Sequence, residues 1–290
     1  MADGTPNAYR LQALLARAAL ALFSALPPRA ASGLGGWIGR RLGPRLGASR
    51  KAERNLERRM PELDAAARRR VIAGMWDNLA RTIAEMPHVP RLYADGLVTV
   101  EGAEHLAVWR DRPGLMFASH YGNWELTPLA IAGQGFVPTG VYRAPNNPWV
   151  DAIVRELRAR NGFVRLFPKG PSGARAVLRE LMQKGCIGLL VDQKMNDGIA
   201  VPFFGAPAMT APAIAELALR FDIPVVPMRV LREGGCRFRV VIEPPMELAR
   251  TGDKAADVLD AMTRINARIE SWVRERPDHW LWVHRRWPDS

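Results

Sequence analysis

The chain has 290 residues, 48% of them hydrophobic and 24% charged, so it can bury a sizeable core and wholesale disorder is excluded. Its 41 Lys+Arg against 29 Asp+Glu leave a formal charge of +12, which argues for an anionic partner: nucleic acid, anionic lipid or an acidic protein. Two cysteines, Cys186 and Cys236, lie far apart with no CxxC spacing and read as reduced core thiols of a cytosolic compartment.

Residues 11–26 are apolar apart from Gln12 and Arg17, too short and too interrupted to span a bilayer. No A-x-A-like site follows an uninterrupted apolar core, which argues against a signal peptide. Arg10, Arg17 and Ser24 are seven apart and line one helical stripe among Leu, Ala and Phe. That pattern describes either a helix lying in a membrane interface with its arginines toward the headgroups, or an ordinary amphipathic core helix. Gly35, Gly39, Gly43 and Gly47 recur every four residues, a flat face for close packing or lipid contact if the segment is helical. Glycine's low helix propensity leaves an irregular segment open. A dinucleotide loop is excluded, because no strand precedes and the G-x-G-x-x-G spacing fails at Ile38. Residues 40–70 carry eleven Lys/Arg against four Asp/Glu, a basic cluster suited to anionic lipid or a solvated helix face.

Asp64 caps a long helix ending before Pro87. Strands and helices then alternate. "LVTV", "GLMFAS", "PTGVYR", "CIGLLVD" and "IPVVPMRVL" read as strands; "EHLAVWR", "NWELTPLAIAG", "WVDAIVRELRAR", a segment capped by Ser172, and "APAIAELALR" read as helices. "EGG" turns the last of these strands into an antiparallel "RFRVVIE", and residues 253–274 form a closing helix. The expected fold is α/β: a mainly parallel sheet covered by helices on both faces, an antiparallel C-terminal strand pair and an N-terminal helical membrane-associating segment. We expect one domain, with residues 1–60 as the membrane-associated helical part and 61–290 as the catalytic core.

In open α/β sheets ligands gather at the carboxyl ends of the strands. His120, Arg143 and Asp192 each follow or close a strand, so a parallel sheet brings all three to one rim. His120 is also five residues before Glu125 in "FASHYGNWE". Gly122 permits a tight turn and Asn123 can cap the following helix, placing Glu125 where its carboxylate reaches back to the imidazole. A carboxylate on one ring nitrogen fixes the tautomer and leaves the other nitrogen as a base able to deprotonate a hydroxyl. Spacing alone is weak: His284 and Asp289 have the same separation, without a strand–turn–helix setting. No Walker A loop, no G-x-S-x-G elbow and no metal-ligand cluster among His88, His105, His120, His279 and His284 occurs. Ser119 should point away from His120 on its strand. Trp272, Trp280, Trp282 and Trp287 read as packing of the C-terminal tail, as membrane-proximal residues or as stacking platforms for nucleic acid.

"HYGNWE" resembles the HX4(D/E) motif of glycerolipid-type acyltransferases, in the HxGNWE form of the bacterial lipid A biosynthesis (lauroyl/myristoyl) acyltransferases. "ERNLERRMPE", "GVYRAPNNPWVD", "KGCIGLLVDQ", "VPFFGAPAMTAPAIAELA" and "HWLWVHRRW" are similar to further blocks of that family in the same order. The resemblance implies an O-acyltransferase at the cytoplasmic face of the inner membrane. It would move a fatty acyl chain from an acyl carrier protein thioester to a hydroxyl of a lipid A precursor. His120 would be the general base and Glu125 its orienting carboxylate, with Asn123, Arg143, Arg158, Arg160 and Asp192 toward the substrates. No cofactor, metal or nucleic acid enters that chemistry. "FPKG" places Lys169 where phospholipid-forming relatives carry an acid, which favours the lipid A branch. An acyl-CoA-dependent enzyme for mannosylated phosphoinositides remains the alternative. A basic membrane-surface or nucleic-acid-binding protein without catalysis would use the charge but leave the rim residues unexplained.

Overall fold

A computed structural model describes residues 6–163 and 165–288. Asp289, half of the second histidine–acid spacing, lies outside them. The N-terminal third is helical: α1 (Pro6–Ala25), α2 (Pro28–Leu42), α3 (Ser49–Arg59), α4 (Ala65–Glu85) and α5 (Val89–Ala94). The α1 helix is held on the core through its backbone: Phe23 O meets His88 Nε2 at 2.8 Å, and Tyr9 O accepts from Asn147 Nδ2 at 2.8 Å. Leu11, Leu14, Leu15 and Leu22 remain exposed.

The glycine stripe belongs to a helix–helix contact. A Cβ on Gly35 would come within 2.7 Å of Ala80 O and 2.8 Å of Ala84 Cβ, and one on Gly39 would strike the Trp76 carbonyl. Missing side chains thus let α2 lie backbone to backbone along α4. Gly43 faces the Trp76 ring, whereas Gly47 is exposed in a turn. Asp64 caps α4 as expected, accepting from Ala67 N at 2.6 Å.

The central sheet has the order β1-β9-β8-β2-β5-β3-β4, formed by β1 (Val98–Glu101), β2 (Gly114–Ala118), β3 (Pro138–Tyr142), β4 (Arg165–Pro168), β5 (Cys186–Leu190), β8 (Val225–Gly234) and β9 (Arg237–Ile242). Strands β8, β2, β5, β3 and β4 are mutually parallel; the β8–β9 turn reverses the direction, so β9 and β1 run the other way. One face packs against α9 (Ala213–Phe221), α10 (Lys254–Glu275) and the tryptophan-rich tail. The other is covered by α5 and the short α6 (Thr127–Ala132). Helices α7 (Pro148–Arg160) and α8 (Pro171–Met182) complete the crossovers. Among the described residues no helix is long and apolar enough to cross a membrane.

Several elements differ from expectation. Strand β4 is a four-residue edge strand ending on a proline, without a readable alternation. A separate hairpin, β6 (Lys194–Phe203) and β7 (Ala206–Thr210), turns on Phe204 and Gly205, both at positive φ (50° and 69°). Such a two-residue turn usually announces itself as Asn-Gly; a phenylalanine there gives no sequence cue. Helix α3 was hidden in the basic cluster. Ser172 does not cap α8: Pro171 opens that helix, and its cap residue is Gly170. All four C-terminal tryptophans are buried in the core, Trp272 from α10 and Trp280, Trp282 and Trp287 from the tail that follows it.

Candidate active site

Strand register builds the site. Ala118 of β2 lies opposite Leu190 of β5. Two residues further on, His120 and Asp192 leave the same rim side by side, and Tyr142 ends the neighbouring strand just before Arg143. The three sequence-selected strand ends therefore meet at one edge, but the pairing differs from the one expected for Glu125. His120 Nδ1 lies 2.8 Å from Asp192 Oδ1, and His120 N donates to Asp192 Oδ2 at 3.0 Å. Trp280 Nε1 also donates to Oδ2, at 2.8 Å. Asp192 is fully buried; burial opposes its ionisation, but the His120 imidazole and these hydrogen bonds outweigh it and hold the carboxyl well below the usual carboxylate range. A carboxylate facing Nδ1 makes that nitrogen the proton-bearing one and leaves Nε2 as the base.

Glu125 is the corrected assignment. Gly122 makes the tight turn at φ 59°, and a short 3₁₀ turn at Trp124–Leu126 follows instead of a capped α-helix. This carries the Glu125 carboxylate to Arg158, which grips it with Nη2 at 2.6 Å and Nε at 3.1 Å, while Trp124 Nε1 donates at 3.1 Å. Glu125 thus ties the turn after β2 to the last turn of α7, and Arg158 reaches the site already engaged by a carboxylate. Asn123 does not cap a helix either. It is fully buried, donates to Glu85 Oε2 at 2.8 Å and is not among the residues lining the cavity at His120. Arg160 lies outside the pocket, exposed and paired with Glu156 in its own helix. Arg143 and Lys169 line the pocket mouth. Ser119 is buried and makes no bond to His120.

A buried polar network holds the turn. Glu85 is bound through both oxygens by Arg232 (2.5 and 3.0 Å) and also accepts from Ser32 and Asn123. Asn78 joins it, accepting from Arg232 Nε at 3.1 Å and donating to the Gly122 carbonyl at 2.9 Å. Gly122 N in turn donates to His279 O at 3.0 Å, and Tyr121 bridges Trp280.

Two residues at the site were missed. Gln193 follows Asp192 directly, and its amide lies 3.2 Å from His120 Nε2 and 3.3 Å from His284 Nε2. His284, which served above as the counterexample, has its ring centroid 5.5 Å from that of His120. Asn55 of α3 fastens the tail that carries it, donating to Trp282 O at 2.8 Å and His284 O at 3.0 Å. Burial pushes the His284 pKa down to about 4, so the ring is neutral near pH 7. The position of Gln193 after a strand-terminal aspartate was readable; that of His284 depends on a long-range contact that no local pattern announces.

Beyond His120 a cavity of about 170 Å³ runs between the sheet and α6; Met116, Ile131, Gly140, Phe163, Leu166 and Gly188 form an apolar part of its lining, and Glu125, Arg158 and Gln193 a polar one. Among the described residues no group of three or more His, Cys, Asp or Glu is placed to hold a metal ion. The arrangement is a carboxylate-paired histidine at the mouth of a cavity whose rim also carries Arg143, Arg158 and Lys169.

The family model for bacterial lipid A biosynthesis acyltransferases matches residues 7–289. No curated protein matches the chain. Among solved structures, the crystal structure of the 1-acyl-sn-glycerophosphate (LPA) acyltransferase PlsC from Thermotoga maritima is similar at 15% identity, over 68% of this chain and 83% of that one, with a TM-score of 0.38.

Proposed function

Because the chain belongs to the bacterial lipid A biosynthesis acyltransferase family and is an acyltransferase, we propose that it transfers a fatty acyl chain from an acyl carrier protein thioester to a hydroxyl of a lipid A precursor. The observation that carries this reading is the Asp192–His120 pair opening onto a cavity with an apolar stretch of lining. His120 Nε2 takes the proton of the acceptor hydroxyl as its oxygen attacks the thioester carbonyl carbon. The C–S bond then breaks, and the imidazolium returns its proton to the departing thiolate. Asp192 orients the ring and stabilises its charged form. The acyl chain lies in the cavity. Arg143 and Lys169 at the mouth bind phosphate of the acceptor or of the carrier's prosthetic arm, and the +12 charge attracts both anionic substrates.

Membrane binding follows from α1. Its exposed leucines accompany Arg10 and Arg17, a composition that lets a helix lie in the interface with its cations near the headgroups. The protein would then meet its lipid substrate at the inner membrane surface, with residues 1–60 as the membrane-facing part of a single unit. The reading is tested by His120→Ala, which is expected to keep the melting temperature and lose thiol release from the acyl carrier protein thioester. Full activity of that variant would remove His120 from the chemistry.

A further inference from the structure

The sheet register lines up four residues in one row across adjacent strands: Met116 on β2, Gly188 on β5, Gly140 on β3 and Leu166 on β4. Strand alternation puts Met116, Gly188 and Gly140 on the face covered by α6, and all four line the cavity that opens at His120. Two neighbouring columns of this row therefore carry no side chain.

Glycine in a strand interior weakens the strand and needs a reason. Neither glycine has a left-handed backbone, so conformation does not demand it. At Gly140 the reason is visible: a Cβ would meet Phe163 Cε1 at 2.5 Å and Leu166 Cδ2 at 3.0 Å, so the Phe163 ring already fills this column. At Gly188 no such clash exists. The nearest atoms a Cβ there would meet belong to the Met116 side chain, at 3.5 Å, an ordinary contact. Gly188 thus opens onto the cavity with no neighbour that demands a glycine, and the Phe163 ring over Gly140 closes the next column.

We propose that the open column at Gly188 and the Phe163 wall over Gly140 set the length of the acyl chain that the enzyme takes from its donor. The inference rests on the functional reading above. Donor rather than acceptor hydrocarbon is specified because the carbonyl under attack must sit beside His120 Nε2, and His120 lines the mouth of the same cavity. A chain attached to that carbonyl enters the trough directly. One strand column is about 4.8 Å wide, so closing it removes space for about four methylenes.

The test uses the full-length protein with a ladder of even-numbered acyl carrier protein thioesters and one fixed acceptor, followed by the converse series. Gly188→Val is expected to lower the ratio of long-chain to short-chain kcat/KM by about tenfold or more, and Gly188→Ala by less. Phe163→Ala is expected to move the optimum the other way. Should Gly188→Val fail to fold, Gly188→Ala and Phe163→Ala decide the matter through their opposite shifts. An unchanged donor profile in folded variants overturns the proposal, as does a shift seen only when acceptor chains are varied. If the wild-type protein transfers no acyl group from any thioester, the functional reading itself has failed, which is a separate result.

Discussion

Asp192→Asn separates the two carboxylates that sequence and structure nominate as partner of His120. In the wild type, Oδ2 accepts from both His120 N and Trp280 Nε1, while Oδ1 faces His120 Nδ1. An asparagine of the same shape must keep its oxygen at the doubly donated position, so its amide NH₂ turns toward Nδ1. It then donates to that nitrogen and forces the proton onto Nε2, the atom required as base. Enforcing the wrong tautomer in this kind of pair costs about 10³–10⁴ in kcat, or about 4–5.5 kcal/mol at about 1.4 kcal/mol per decade. Packing is preserved, so thermal unfolding should change little. Glu125→Gln is expected to act differently. It removes one charge of a buried, bidentate pair with Arg158, so it should lower the melting temperature while costing far less in kcat. The assay is initial-rate thiol release at saturating donor, alongside a thermal melt of each variant. Asp192→Asn retaining more than about a tenth of kcat, with Glu125→Gln losing three or more decades, would refute this reasoning and restore Glu125 as the partner.

Burial lowers the pKa values of both His279 and His284 from 6.5 to about 4, so between these limits the unfolded chain binds protons that the folded one does not. Stability should therefore be fully present above about pH 6.5 and fall toward pH 4 by up to about 1.4 kcal/mol per pH unit for each histidine; a urea midpoint that stays flat over that window contradicts it. Replacing exposed Leu11, Leu14 and Leu15 by Ser should weaken sedimentation with anionic vesicles by well over tenfold while leaving the melt unchanged, since each leucine moved into an apolar phase contributes roughly 1.5–3 kcal/mol; undiminished sedimentation would place the membrane contact elsewhere. Deleting the whole helix is a poorer test, because Asn147 and His88 bind its backbone.

Much of the fold was readable because its signals are local. Apolar runs such as "GLMFAS", the capping aspartate Asp64 and the "EGG" turn each act within a few residues, and the parallel alternation they imply brought His120, Arg143 and Asp192 to one rim. What failed was the assignment of partners. The reach from His120 to Glu125 assumed an α-helix immediately after Gly122, whereas a 3₁₀ turn rotates the carboxylate toward Arg158. The choice of Asp192 is made by β2–β5 register, a contact across 72 residues. His284 reaches the site because a tail of buried tryptophans returns across the sheet and Asn55 fastens it. The glycine stripe was ambiguous between lipid and helix until α4 was placed against it.

The proposed reaction joins a thioester-borne acyl group to a glycolipid hydroxyl with His120 as base. Mass spectrometry of the lipid product tests it most directly, using purified protein, acyl carrier protein thioester and a phosphorylated lipid A precursor in mixed micelles. The account predicts that the precursor gains the mass of one ester-linked acyl chain with the wild-type protein and gains nothing with His120→Ala. An unmodified precursor with the wild-type protein, or equal product from both, would contradict it.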